Sequence, residues 1–185
     1  MKCFQKECKH SVWFLFACVL LMQAMLVSCN TVDDDRIPSM PVSINLSTQD
    51  LWNTYGVSGI GSYTKFIAAL REPRNFPFTD RTATGYGGVL LISGINPFTY
   101  EAGVPLAYDL ACPVECKPDV RVNIVATEAF PVAVCPVCGS HYDVVEFGGS
   151  PTSGPALSRK LGLRRYECRE NIVGSVITGY YIMNI

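Results

Sequence analysis

The chain reads as an all-β protein, a β-sandwich or small barrel. Three observations predict this. Apolar and polar residues alternate over short runs. Gly and Pro, 15 and 12 of the 185 residues, punctuate those runs. No long stretch has the 3.6-residue period of a helix.

The elements follow in chain order. Val42-Ser43-Ile44-Asn45-Leu46 alternates as a half-buried strand does. Gly56, Gly59 and Gly61 make the stretch from Thr54 to Ser62 a loop. Phe66 to Leu70 is a short strand or a turn of helix, and Arg71 to Thr84 is an irregular Pro- and Arg-containing stretch. Gly87 to Ile92 ends in Val-Leu-Leu-Ile, the run of a strand buried on both faces, and Asn96-Pro97 marks the turn after it. Leu106 to Leu110 is a strand, and two more are expected at Val120–Val125 and Ala129–Val134. Leu163–Cys168 and Ser175–Ile182 form a final pair, turning through Asn171 to Gly174.

The N-terminus has the layout of an exported lipoprotein. Lys2, Lys6, Lys9 and His10 precede a mostly apolar run from Ser11 to Val27, which closes on Leu26-Val27-Ser28-Cys29. A small residue followed by Cys resembles a bacterial lipobox. Residues 1–28 are then a signal peptide, and Cys29 is the lipidated first residue of the mature chain. An uncleaved membrane anchor is the alternative, since the apolar run approaches the lower limit of roughly 17 residues for a spanning helix. Residues 29–41 read as an acidic tether, with Asp33-Asp34-Asp35 followed by Pro38 and Pro41. The triplet resembles surface-export signals of some Gram-negative lipoproteins. The expected location is the cell envelope, lipid-anchored at the outer membrane and exposed at the surface.

Residues 42–185 are expected to form one domain. Removing Lys2, Lys6, Lys9 and Glu7 leaves 12 basic and 15 acidic residues, a net charge of about −3. No basic run occurs, which argues against nucleic acid as a partner.

Two cysteine boxes carry the chemistry. The first is Cys112-Pro113-Val114-Glu115-Cys116; the second is Cys135-Pro136-Val137-Cys138-Gly139-Ser140-His141-Tyr142-Asp143. Four soft donors on two short loops suit a tetrahedral Zn or Fe site. Cys112, Cys116, Cys135 and Cys138 are the candidate ligands.

From the second box onward the sequence resembles the Rieske iron–sulfur family. The Cys-Gly-Ser-His-Tyr-Asp run, then Gly148-Gly149, then Gly154-Pro155-Ala156, follow that family's second cluster loop and proline loop, and Tyr108 to Pro113 matches the strand feeding its first loop. The resemblance spans roughly residues 85 to 183. It implies a Rieske-like β-sandwich or small barrel with two cysteine-bearing loops at one end. It also implies a [2Fe-2S] cluster and an electron-transfer role with an envelope redox partner. Both family histidines are missing: Val114 and Cys138 stand in their positions. Any cluster here would be held by four thiolates. The added negative charge lowers its potential toward the plant-type range, so oxidation of quinols is not carried over. In the family pattern Ser140 and Tyr142 donate hydrogen bonds to the cluster sulfurs. Asp143 is expected to cap the turn.

The residues leave other occupants open. Zinc would clamp the loops without doing chemistry. A single rubredoxin-style iron is a third option. Outside the cytoplasm the thiols can instead pair, as Cys112 with Cys135, Cys116 with Cys138, or Cys135 with Cys138. In those cases the domain is a non-redox surface binding module. His141, the only histidine after the leader, reads as a variable box residue, and Cys168 as a small buried hydrophobe. No Walker loop, dinucleotide fingerprint or Ser-His pair occurs, so an electron carrier or binding module is expected rather than an enzyme.

Overall fold

Strand β4 (Val89–Ile95) organises the domain, because six of its seven residues are buried. Leu90 and Ile92 face one apolar core; Val89 and Leu91 face another. The structure is a computed structural model and describes residues 31–184. The expected signal peptide, residues 1–28, and Cys29 lie outside the described residues.

The expectation of an all-β fold is met. Seven strands form a nearly closed, barrel-like antiparallel sheet in the order β2-β4-β5-β10-β11-β1-β3. They are β1 (Val42–Leu46), β2 (Tyr63–Phe66), β3 (Ala83–Thr84), β4, β5 (Ala102–Asp109), β10 (Arg165–Val173) and β11 (Val176–Met183). The two edges approach each other where the Ala68 amide, just after β2, donates to Thr84 Oγ1 of β3 at 3.3 Å. A second, four-stranded antiparallel sheet runs β6 (Asn123–Val125), β7 (Val132–Val134), β8 (His141–Asp143), β9 (Ser150–Ser153).

The alternation read in the sequence is what the structure buries. In β1 the pattern is buried at Val42, Ile44 and Leu46 and exposed between. Strand β10 runs five residues beyond Cys168, so its turn with β11 is Gly174-Ser175, at the end of the expected Asn171–Gly174 region.

Two short helices were not anticipated. The first, α1 (Gln49–Tyr55), is started by Thr48, whose side chain accepts from the Leu51 amide, and Asp50 adds negative charge in the first turn. The second, α2 (Gly154–Arg159), carries Pro155 in its first turn, where proline costs nothing.

Part of the stretch read as an acidic tether is laid onto the domain, from Asp33 to Ile37. Asp33 makes a parallel bridge to Leu161, with its amide donating to the Lys160 carbonyl at 2.8 Å and its carbonyl accepting from Gly162 at 2.8 Å. Asp34 pairs with Arg165 at 2.8 Å and Asp35 with Arg164 at 2.9 Å. Ile37 is fully buried. The acidic run meets two adjacent arginines, and one apolar side chain anchors it. Its composition read as solvated because the arginines lie far along the chain.

Candidate metal centre

The second cysteine box is the hairpin between β7 and β8. The Cys135 amide donates to the Ser140 carbonyl at 2.9 Å, and Gly139 donates back to the Cys135 carbonyl at 3.0 Å. Gly139 takes a left-handed conformation at φ 66°. This tight loop lets the Cys138 amide donate to the Cys135 sulfur at 3.5 Å.

The first box follows β5. Cys112 donates its amide to the Val120 carbonyl at 2.9 Å, and Ala111 bridges Arg121, which ties the box to the segment leading into β6. Behind it sits Asp109, fully buried. Its carboxylate accepts from the amides of Tyr86, Gly87 and Ala111 at 2.7 to 3.2 Å and from the Tyr166 hydroxyl at 2.6 Å. Arg121 donates to the Gly87 carbonyl on the same loop. A Cβ on Gly87 would stand 2.5 Å from the Ala111 nitrogen, so only glycine permits this approach. Burial raises the Asp109 carboxyl above the ordinary value, while the Tyr166, Ala111, Tyr86 and Gly87 donors pull it back down. Sequence reading missed Asp109. The available signal was a lone charge in the apolar run before the first box.

The two boxes bring three thiols together. The sulfurs of Cys112, Cys135 and Cys138 all lie within 4.8 Å of one another. Cys112 and Cys138 are 3.6 Å apart, sulfur to sulfur. Cys112 and Cys135 are buried at 0% and 1% exposure. All five described cysteines are free thiols.

Cys116 does not join them. It takes a left-handed conformation at φ 51°, its amide closes a turn onto the Cys112 carbonyl at 2.8 Å, and its thiol donates to the Arg36 carbonyl at 3.6 Å. The Tyr86 hydroxyl holds the Cys116 carbonyl at 3.0 Å. Spacing alone put Cys116 within reach of the site; the backbone at that residue directs its side chain to the docked N-terminal segment. His141 also stands outside the thiol group and pairs with Val134 and Ser153 in the sheet.

Two hydroxyls stand beside the sulfurs. Tyr142 Oη lies 3.4 Å from Cys112 Sγ, and Ser140 Oγ lies 3.2 Å from Cys138 Sγ. Ser140 Oγ accepts from both sides, from the Cys138 thiol and from the Ala156 amide of α2 at 3.0 Å. Gly154, at φ 74°, permits this: a Cβ there would stand 2.9 Å from Ser140 Cα. Asp143 Oδ1 accepts from the amides of Val145, Glu146 and Phe147 and so caps the turn after β8.

The surroundings separate the two thiols of the second box. Burial pushes Cys135 up to about 12. Burial also acts to raise Cys138, but the Ser140 hydroxyl and amide and the neighbouring thiols outweigh it and bring Cys138 below the usual thiol range. Burial, with Cys112 beside it, keeps Tyr142 protonated and able to donate.

The donor set can hold a metal. Sulfurs bound at 2.3 Å to one tetrahedral ion stand about 3.8 Å apart, close to the 3.6 Å between Cys112 and Cys138. The three sulfurs are close enough to share one ion. A [2Fe-2S] cluster divides its terminal ligands between two irons, and the described residues present no second pair for the other iron unless Cys116 moves. As placed, the residues fit one ion better than that cluster.

No protein-family model, no curated protein and no solved structure matches the chain.

Proposed function

We propose that the chain is a lipid-anchored envelope protein whose Rieske-like domain binds iron through Cys112, Cys135 and Cys138 and passes electrons to or from an envelope partner. The observation that carries this reading is the pair of buried hydroxyls, Tyr142 and Ser140, set against two sulfurs of the thiol cluster. Donors to ligand sulfurs stabilise the extra negative charge of the reduced state and raise the potential. A site that only clamps two loops has no use for such tuning. A single iron is the smaller unit the thiols support. The [2Fe-2S] form that the family resemblance implies requires Cys116 as well. Cys29 would carry the lipid, and the outer membrane is the expected location.

A second reading is favoured by the closeness of the three sulfurs. One zinc ion would fit the same triangle and make the domain a non-redox surface module. Metal and sulfide analysis of the anaerobically purified full chain, with a visible spectrum, separates the two. Iron with charge-transfer bands supports electron transfer, and acid-labile sulfide with two irons identifies the [2Fe-2S] form. Zinc without colour removes the redox role. A metal-free protein with a Cys112–Cys138 disulfide removes the metal.

A further inference from the structure

We propose that Cys116 and the docked segment Asp33–Ile37 form a latch, in which the segment holds the fourth thiol away from the metal and metal binding releases the segment. The inference rests on the metal reading above and extends it to regulation.

Three thiols leave a tetrahedral ion one donor short, and among the described residues no other His, Cys, Asp or Glu joins the group. Cys116 closes a turn directly onto Cys112. Its thiol is not free to turn inward, because it donates to the Arg36 carbonyl. Arg36 has no freedom to follow it. On one side Asp33 is bridged to Leu161, and Asp34 and Asp35 are paired with Arg165 and Arg164. On the other, Ile37 is buried and its carbonyl accepts from Arg164 Nε at 2.8 Å. The Cys116 contact with the segment and a Cys116–metal bond use the same sulfur, so they exclude each other.

The exchange balances simply. The Cys116 S–H proton leaves to solvent, the S–H···O contact to Arg36 breaks, and a thiolate–metal bond forms. No electron moves. The Arg36 carbonyl then faces water, which the exposed position of Arg36 allows. Two sites that compete for one group are linked reciprocally: metal loosens the segment, and loosening the segment tightens the metal. The segment follows Cys29 in sequence, so the state of the centre would be reported at the point where the domain meets its anchor.

The test uses the full chain, metal-free and saturated with zinc, as wild type and as Cys116→Ser. Hydrogen exchange at the Asp33 and Gly162 amides reports docking. Zinc should speed exchange there by about two- to tenfold in the wild type, the effect of losing one hydrogen bond, and leave it unchanged in Cys116→Ser. Cobalt substitution should show four thiolates in the wild type and three in Cys116→Ser. Arg164→Ala, which removes the Asp35 pair and the Ile37 carbonyl contact without touching the thiols, loosens the segment and should tighten zinc binding. Zinc binding that leaves exchange at Asp33 and Gly162 unchanged, or that speeds it equally in Cys116→Ser, overturns the latch and spares the metal reading. Failure of the wild type to bind zinc or cobalt overturns the latch, while iron in the purified chain would still support the metal reading.

Discussion

The Tyr142 hydroxyl lies 3.4 Å from the Cys112 sulfur, and both residues are completely buried. The Ser140 side chain also acts on that hydroxyl, so its contact with Cys112 is not the single tie between the two boxes. Tyr142→Phe should therefore leave the fold standing, with a loss below about 1.5 kcal/mol. In the iron-loaded protein the reduction potential should fall, because the reduced state loses a donor. A potentiometric titration beside a thermal melt checks both; an unchanged potential removes Tyr142 from the tuning role.

Ser140 serves two partners, the Ala156 amide and the Cys138 sulfur. Ser140→Ala orphans a buried amide, at a cost of about 1–3 kcal/mol. It also removes the main influence holding Cys138 below the usual thiol range. The pH midpoint for alkylation of Cys138 in the metal-free protein should then move upward. Cys135, pushed up to about 12 by burial, should remain the slower thiol in both proteins.

Asp109 carries a pH signature. Burial raises its carboxyl in the folded state above the ordinary 3.8. Its protonated form is thus favoured by folding, and that contribution is fully present below the unfolded value and lost as pH rises through the folded one. Asp109→Asn cannot accept from all four donors and should be less stable by about 1–3 kcal/mol at low pH. The gap between the two proteins should narrow as pH rises above about 4. Urea denaturation across mildly acidic pH measures it, and a gap that widens contradicts the burial argument.

Gly154 combines a left-handed backbone with close contact to Ser140. Gly154→Ala should cost about 1–3 kcal/mol through strain alone. It should also displace the Ser140 loop and speed loss of bound metal to a chelator. Gly174→Ala is a fitting control, since it shares the positive φ but has open space around the added carbon. Equal metal loss from both variants would mean that strain, not the Ser140 contact, is responsible.

Much of the barrel was legible because its strands obey simple burial rules. Val42–Leu46 alternates, and the apolar run of β4 reflects two buried faces. Strands β8 and β9, of three and four residues, are too short to show a period. Helix α1 was missed although Thr48 and Asp50 form a readable start, because its seven residues carry no fully buried position to set a stripe. At the site, the Ser140 and Tyr142 roles came from the family resemblance, and their hydroxyls do stand at the sulfurs. The position of Cys116 was not legible. It depends on one backbone angle and on Arg36, which lies 80 residues away in sequence.

Strands β4 and β5 lie between two cores and send alternate side chains into each. The thiols, Tyr142 and Ala156 belong to the core holding Leu90 and Ile92, while β1, Phe66, Phe76 and Ile182 belong to the one holding Val89 and Leu91. This gives the molecule a chassis and a cargo bay on opposite sides of one partition. Substitutions that refit the bay for another metal, or for none, leave the chassis packing untouched. A lineage can change what it carries without rebuilding what carries it.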